Sequence, residues 1–389
     1  MNKDTQLKEI KKLYEKQLLE GELDFWIKYG WDKNNGGIYT ALDREGLILD
    51  TDKSVWFQGR ALWVFSEAYK KYGNLEYLEF ANSIAKFLTQ NCFDQDGRMF
   101  FRVSEDGKPI IKRIRYFFSE AFAVIGLSSY AEITHNSIYK KQALDLFKFI
   151  KKLKNTKGLL IPKFQRDSKS FSNPMILINV LSELRKSFPE EKNWINTEID
   201  ECLSEITNFF VKDDLEVVLE QCGMDGSFQS DHFEGRLINP GHSIEGAWFI
   251  MNEGMVRNDS KMINLGLKIL KWMWDKGWDY EYGGGIIQYR DALGKDLSDY
   301  HQDMKFWWPQ CEIAIAELMA YKITKDSEHF DKFLLVNEYI QKRFVDNEFG
   351  EWFGYLHRDG TIATNIKGNM YKGPFHIPRM YMKCIELIG

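Results

Sequence analysis

The stretch WDKNNGGIYTALDREG (31–46) has relatives at intervals along the chain, and this repetition indicates the fold. Each copy has an Asp-rich or Gly-rich turn, a few strand-like residues, and a second polar turn that ends in Gly. The clearest copies are FDQDGRMFFRVSEDG (93–107), WDYEYGGGIIQYRDALG (278–294) and VDNEFGEWFGYLHRDG (345–360), whereas 154–168 and 215–226 match weakly. A unit that returns roughly every 60 residues predicts stacked supersecondary modules.

Two helical patterns fill the intervals between these turns, and they differ in polarity. One is amphipathic with the 3.6-residue period, as in SIYKKQALDLFKFIKKL; it is predicted at 4–29, 75–91, 137–153, 193–211, 260–276 and 328–344. The other is apolar nearly all round, as expected of a buried helix; it is predicted at 54–71, 117–133, 173–187, 242–256, 307–322 and 376–388. Six buried helices alternating with six amphipathic ones predict an all-α fold, an (α/α)6 barrel with short β-hairpin loops at one end. A single domain is expected over residues 1–389, since no linker interrupts the series.

Composition and charge exclude several classes of function. The chain has 389 residues, 44% hydrophobic and 28% charged, with a formal net charge of -5. It lacks the long Lys/Arg runs of a nucleic-acid footprint and the apolar run of a membrane span. No secretory leader is recognised, and the five scattered cysteines are expected to be reduced thiols. The sequence therefore predicts a cytoplasmic protein that binds neither nucleic acid nor membrane.

The barrel geometry places the starts of all six inner helices at one end, where their side chains point into a shared cavity. Five of the six residues expected there are ionisable, although their helices are otherwise apolar. Burying an unpaired charge is costly, so convergence in a cavity explains them better than scattered burial. These candidates are Arg60, Glu120, Asn173, His242, Glu312 and His376.

The stretch NPGHSIEGAWFI (239–250) brings an imidazole to the first turn of an inner helix. His376 opens another inner helix in the same way. Two imidazoles that face one cavity suit removal of a proton from one side of a carbon and its return to the other. Glu245 lies one turn after His242 and is predicted to orient that ring; the alternative is a charge that complements the helix dipole.

Other side chains near these histidines have two interpretations each. Arg60 is expected to stabilise an oxyanion on the substrate; the alternative is a buried ion pair with Glu120 or Glu312. One of Trp307 and Trp308 is expected to stack on a sugar ring and the other to belong to the core.

The remaining histidines are expected to be inert, His232 and His301 because they flank loops. A metal site is the rival interpretation of the HSIE sequence, but no HExxH motif, EF-hand loop or Cys/His cluster supports it. No metal is therefore expected.

With these residues in view, the chain resembles the N-acylglucosamine 2-epimerase family. The similar motifs are VWFQGRALW, FSEAF, INPGHSIEGAWF, MKFWWPQCEIAIA, GEWFGYLHRDG and KGPFHIPRM, which span nearly the whole chain. The resemblance implies an (α/α)6 barrel and interconversion of N-acetyl-D-glucosamine with N-acetyl-D-mannosamine. It places the family's essential residues at Arg60, His242, Glu312 and His376. It also implies a homodimer, and ATP as an activator that is not consumed.

Four alternatives to this activity stay open from the sequence. Cellobiose 2-epimerases and aldose–ketose isomerases share the barrel, but they carry a histidine soon after an Asn on the third inner helix. Here that segment, NPMILINVL (173–181), has no histidine, which favours the N-acylglucosamine branch. An (α/α)6 glycoside hydrolase would need two carboxylates, available from Glu120, Glu245 and Glu312, and would leave both histidines idle. A non-catalytic sugar-binding protein would have no need for the paired ionisable residues.

Overall fold

The computed structural model of the chain describes residues 2–114, 116–156, 158–160, 162 and 166–389. Its long helices form two concentric rings, which confirms the (α/α)6 barrel. The inner ring consists of α2 (Val55–Tyr72), α4 (Phe118–Thr134), α6 (Ser172–Ser187), α9 (Pro240–Arg257), α11 (Trp307–Thr324) and α13 (His376–Ile388). The outer ring consists of α1 (Lys3–Lys16), α3 (Leu75–Asn91), α5 (Ser137–Asn155), α7 (Lys192–Glu205), α10 (Ser260–Gly277) and α12 (Ser327–Arg343). A short helix, α8 (Phe233–Arg236), precedes α9.

Burial explains why two kinds of helix are needed. In the inner helix α4, every residue from Phe118 to Ala131 is buried. In the adjacent outer helix α5, burial is confined to one face: Ala143, Leu146, Phe147, Ile150 and Leu153. The inner helix is apolar all round because it lies between the cavity and the outer ring. The outer helix is amphipathic because one face packs on the inner ring and the other faces water. No helix of the described residues is long and apolar enough to cross a bilayer, and all five cysteines are unpaired and buried.

Short antiparallel strands connect the helices. β1 (Ala41–Leu42) pairs with β2 (Ile48–Asp50), and β3 (Lys53–Ser54), β4 (Arg102–Val103) and β5 (Pro109–Ile111) form a second sheet. The remaining pairs are β6 (Ser168–Ser170) with β9 (Gln221–Gly223), β7 (Val211–Lys212) with β8 (Val217–Val218), and β10 (Leu237–Ile238) with β11 (Arg290–Asp291). The last sheet contains β12 (Lys305–Phe306), β13 (Tyr355–Leu356) and β14 (Ile362–Thr364). Residues 157, 161 and 163–165 of the weak repeat 154–168 lie outside the described residues.

The recurring turns share one buried construction. In each of three copies an Asp side chain accepts hydrogen bonds from the backbone of its own turn, as Asp279 does from Glu281 and Tyr282. The same carboxylate pairs with a lysine on the segment that precedes an inner helix, and both side chains are at most 2% exposed. The three pairs are Asp32–Lys53 at 2.7 Å, Asp279–Lys305 at 3.0 Å and Asp346–Lys367 at 2.9 Å. These three copies of the repeat thus share a buried ion pair that attaches the turn to the segment before an inner helix.

Helices α2 and α4 approach each other backbone to backbone. A Cβ atom on Gly59 would lie 2.5 Å from the carbonyl oxygen of Phe122, and one on Gly126 would lie 2.4 Å from the carbonyl oxygen of Gly59. Any larger side chain would push the two helices apart. The close contact brings Arg60, the next residue after Gly59, against the Phe122 ring with its guanidinium carbon 4.0 Å from the ring centre.

Candidate active site

A cavity of about 620 Å³ opens at the end of the barrel where the inner helices begin. Pockets for small ligands have volumes of roughly 300–1,000 Å³. All six inner helices contribute to its wall, which includes Trp56, Arg60, Phe118, Phe122, Met175, Ile176, His242, Glu245, Trp307, Trp308 and His376. The prediction that the helix starts converge on one cavity is therefore confirmed.

His376 is the first residue of α13 and is held by a carboxylate. Its Nδ1 lies 2.7 Å from Oε1 of Glu312, whose side chain is fully buried. Because a carboxylate only accepts, Nδ1 carries the proton and Nε2 keeps its lone pair. Burial, followed by the nearby Arg379 cation, holds the pKa of His376 well below its usual value. The ring is therefore a neutral base at neutral pH.

His242 is positioned by the start of α9. The Oδ1 of Asn239 accepts a hydrogen bond from the backbone N–H of His242 at 3.2 Å, which caps the helix. The imidazole Nδ1 lies 2.9 Å from Oε2 of Glu220, and the His242 side chain is 25% exposed. The predicted partner Glu245 is thus corrected: Glu220, which lies between β8 and β9, holds this ring.

Glu245 belongs to a charge cluster around His376. Nη2 of Arg379 donates to Oε1 of Glu245 at 2.5 Å and to Oε1 of Glu312 at 2.7 Å. Nε1 of Trp248 donates to the other oxygen of Glu312 at 2.7 Å. These bonds fix the carboxylate that in turn fixes the His376 ring.

The same cluster has the chemical composition of a cation site. One ligand atom each from Glu245, Glu312 and His376 lie within 4.8 Å of one another. The guanidinium of Arg379 hydrogen-bonds to both carboxylates and lies 3.3 Å from Nδ1 of His376. Arg379 therefore supplies the positive charge that a metal ion would bring to these ligands.

Trp308 contacts both histidines. Its ring centroid is 5.0 Å from that of His242 and 5.8 Å from that of His376. Trp307 contacts Tyr355 edge to face and approaches the edge of His376 at 6.4 Å. Both tryptophans line the cavity, so neither belongs to the core alone.

Arg60 adds a cation to the wall on the α2 side. Besides Phe122, its guanidinium carbon lies 5.0 Å from the ring centre of Phe375. Its side chain lies among aromatic rings, which leave the guanidinium charge weakly hydrated. Glu120, an alternative partner for Arg60 in the sequence analysis, pairs with Arg98, and Glu312 pairs with Arg379.

A family model described as N-acylglucosamine 2-epimerase matches residues 36–374. The chain belongs to the N-acylglucosamine 2-epimerase family. It is 33% identical to the N-acylglucosamine 2-epimerase of Bos taurus over 95% of this chain and 89% of the relative. The corresponding figures for the Mus musculus enzyme are 31%, 100% and 94%. The chain is accordingly an enzyme, a carbohydrate epimerase.

The fold also matches solved structures of other sugar epimerases. The cellobiose 2-epimerase from Bacillus thermoamylovorans superimposes with a TM-score of 0.85 over 97% of this chain and 99% of that one. The two sequences are 22% identical. This likeness supports the (α/α)6 barrel.

Three of the six residues predicted to face the cavity of this epimerase do not line it: Glu120, Asn173 and Glu312. Glu312 serves the site instead through its contact with His376. Oε1 of Glu120 accepts from Nε of Arg98 at 2.6 Å and from the backbone N–H of Met99 at 3.0 Å. Glu120 therefore fastens the 93–107 turn to α4 and does not line the cavity. Asn173 also lies off the wall, where α6 instead presents Met175 and Ile176.

Two residues of the site were missed from the sequence. Glu220 lies in the weak repeat copy 215–226, where no motif marks it. Arg379 follows His376 by three residues, so both lie on the same face of α13. That spacing was visible in the KGPFHIPRM motif and was the available signal for Arg379.

Proposed function

We propose that this epimerase interconverts N-acetyl-D-glucosamine and N-acetyl-D-mannosamine by removing the C2 proton and returning it to the opposite face. One observation carries the proposal. His242 and His376 line one cavity and both contact Trp308, and each holds its Nδ1 proton against a carboxylate. Each ring can therefore offer Nε2 to a substrate carbon placed between them.

The chemistry begins from the open-chain sugar, whose aldehyde at C1 acidifies the C–H bond at C2. Nε2 of one histidine takes the C2 proton, and the electron pair of that bond forms a C1–C2 double bond while C1–O becomes an oxyanion. The other imidazolium then donates its proton to C2 from the opposite face. The double bond returns to C1=O, so the net change is inversion at C2.

Arg60 is the side chain placed to stabilise the oxyanion. Its cation faces the cavity from α2 among aromatic rings. In a site with little water, a fixed positive charge lowers the energy of developing negative charge more than it could in bulk solvent. The indole of Trp308 then serves as the surface on which the sugar carbons lie between the histidines.

The protonation state of His376 follows from its burial and from the neighbouring cation. His376 is neutral at neutral pH, since burial and Arg379 lower its pKa. It starts as the base in one direction of the reaction, and His242 then starts as the imidazolium. In the reverse direction the roles exchange, because microscopic reversibility requires each group to undo its own step.

A solvent-exchange experiment tests this function. Purified enzyme is incubated with N-acetylmannosamine in D2O, and proton NMR follows the C2 signal of substrate and product. The product is expected to carry deuterium at C2 as it forms. Product that is fully protonated at C2 from the first turnover would indicate direct hydride transfer or a shielded base. Cellobiose in a parallel sample is expected to be a poor substrate.

The glycoside hydrolase alternative has little support from the carboxylates. Glu245 and Glu312 both accept from one nitrogen of Arg379. Both carboxylates are tied to that one cation, and Glu312, whose side chain is fully buried, does not line the cavity, so the two do not flank a substrate as a glycosidase pair must. Glu120 is bound to Arg98 outside the cavity.

A homodimer, a cytoplasmic location and activation by ATP are further proposals that rest on the family resemblance. Sedimentation velocity tests the first, fractionation of the producing cells the second, and the NMR assay with and without ATP the third. A monomer, a secreted protein or a rate that is indifferent to ATP would each reject the corresponding proposal.

A further inference from the structure

A third histidine, His301, lines the same cavity and has no part in the chemistry at C2. It lies on the segment between β11 and β12. Its Nδ1 is 3.2 Å from Oδ1 of Asp299, its ring contacts that of Tyr300 in a tilted arrangement at a centroid distance of 3.6 Å, and its side chain is 34% exposed. The ring therefore stands where the cavity meets solvent.

Its connection with the site runs through aromatic contacts. The His301 ring meets Phe306 edge to face at 5.7 Å, and Phe306 lies against Trp307 at 6.4 Å. Trp307 in turn approaches His376 at 6.4 Å. These aromatic side chains connect His301 with the wall of the cavity that carries His376.

The His301–Asp299 pair has the same construction as the two catalytic pairs. A carboxylate faces Nδ1, so Nδ1–H donates and Nε2 keeps its lone pair. His232 and His329 also have carboxylate partners, Asp231 and Glu317. Neither lines the cavity, so location singles out His301 among the three.

The proposed epimerisation requires the sugar ring to open, and no residue has yet been assigned to that step. The inference made here rests on the proposed function. A free amino sugar exists in water almost entirely as a cyclic hemiacetal. Its C2 proton becomes acidic only when the ring opens and C1 becomes an aldehyde. Opening requires a base for the O1 proton and a proton for the ring oxygen O5, a task suited to an imidazole at the cavity mouth.

We propose that His301, oriented by Asp299, opens and closes the pyranose ring, and that the protein is therefore also an anomerase for its sugar. Nε2 of His301 accepts the O1 proton, and the O1–H electron pair forms C1=O. The C1–O5 bond breaks with its electrons on O5, which takes a proton from cavity water. The imidazolium returns its proton to that water, so all protons balance. Closure on the other face of C1 yields the other anomer.

Mutarotation and epimerisation can be measured separately. Crystalline α-N-acetylglucosamine is dissolved with enzyme, and proton NMR follows the α and β anomeric signals over the first minutes. The epimerisation rate is measured on the same sugar with protium or deuterium at C2. The wild-type enzyme is expected to accelerate anomer equilibration in proportion to its concentration.

Replacing His301 with Asn should slow enzymatic mutarotation by about 10²-fold or more, since it removes the acid–base group. Ring opening should then limit epimerisation, so the isotope effect from deuterium at C2 should fall toward unity. A residue with a merely structural role would not move that isotope effect. His357→Asn, at an exposed histidine outside the cavity, is the matched control and should change neither rate.

Asp299→Asn provides a second variant in case His301→Asn fails to fold. An Asn there still accepts the backbone N–H of His301, which Oδ1 of Asp299 now accepts at 2.7 Å. It should slow mutarotation by about 10-fold because it removes the negative charge beside the ring. Unchanged mutarotation in the folded variants overturns the inference.

The outcomes separate this inference from the proposed function. If wild-type protein accelerates mutarotation through His301 but never epimerises the sugar, the proposed epimerisation fails and the anomerase stands. If it epimerises while His301→Asn keeps full mutarotation and its isotope effect, epimerisation stands and the inference fails.

Discussion

Oε2 of Glu220 lies 2.9 Å from Nδ1 of His242, and this contact holds the ring. Glu245, one turn away on α9, binds Arg379 instead. Replacing Glu220 with Gln should lower kcat by about 10²–10⁴-fold. The Gln amide can donate to Nδ1, which moves the ring proton to Nε2 and removes the base. Steady-state kinetics in both directions, with KM measured separately, provide the check.

Glu245→Gln is the matched comparison for that variant. It should be the milder of the two, since it leaves the Glu220–His242 contact intact and weakens only one of the hydrogen bonds of Arg379. A Glu220→Gln enzyme with wild-type kcat, beside a Glu245→Gln enzyme as impaired as a His242 variant, would restore Glu245 as the partner of His242.

The lowered pKa of His376 should be visible in the pH dependence of the two directions. A histidine with a lowered pKa stays deprotonated to lower pH than the usual value of about 6.5. In the direction that uses His376 as base, kcat/KM should therefore fall on the acid side only well below pH ~6.5. Profiles measured from each epimer test this. Acid limbs at or above that value in both directions would contradict the environment assigned to His376.

Arg379 should make the site independent of metal. Since its guanidinium already pairs with both Glu245 and Glu312, EDTA should leave the wild-type rate unchanged. Arg379→Ala leaves two buried carboxylates without their cation, which should cost about 3–5 kcal/mol of stability. It should also create affinity for Zn²⁺ at Glu245, Glu312 and His376, seen as a melting temperature raised by Zn²⁺. Loss of wild-type activity in EDTA would reverse this assignment.

The buried Asp–Lys pairs should contribute to stability through the repeat turns. Asp279→Asn leaves Lys305 fully buried without its counter-charge and should destabilise the protein by about 3–5 kcal/mol. The exposed pair Lys271–Asp275, at 2.8 Å, is the control, and Asp275→Asn should cost under about 1 kcal/mol. Equal losses in urea unfolding would show that burial of the first pair does not matter.

Much of the fold could be predicted because periodicity and burial act locally. The amphipathic prediction at 75–91 and the apolar one at 376–388 coincide with α3 and α13. The predicted helix 4–29 is α-helical only to Lys16 and continues as π-helical turns, Gln17–Leu23 and Trp26–Gly30. A change from one hydrogen-bond spacing to another leaves the apolar pattern nearly unchanged, so the sequence could not locate it.

The candidate site was predictable where helix position alone decides it. His242 and His376 start inner helices, and the barrel brings such starts together. Partnerships across the cavity depend on tertiary distances, which is why Glu245 was paired with the wrong residue and Glu220 was missed. His301 was expected to be inert because its loop context gave no sign that the segment folds against the cavity.

The central claim is that two bases act on opposite faces of C2. His242→Asn and His376→Asn each remove one titrating group while leaving the other His–carboxylate pair in place. Both variants should lose epimerisation in both directions, by about 10²–10⁴-fold. The remaining histidine can still abstract a proton from its own face and return a deuteron there.

The most direct measurement is therefore C2 deuterium exchange in D2O, followed by NMR for each variant with each sugar separately. Each folded variant should exchange the C2 proton of one epimer only, and the two variants should act on opposite epimers. Exchange of both epimers by a single variant would mean that one base serves both faces, and it would contradict the two-histidine mechanism.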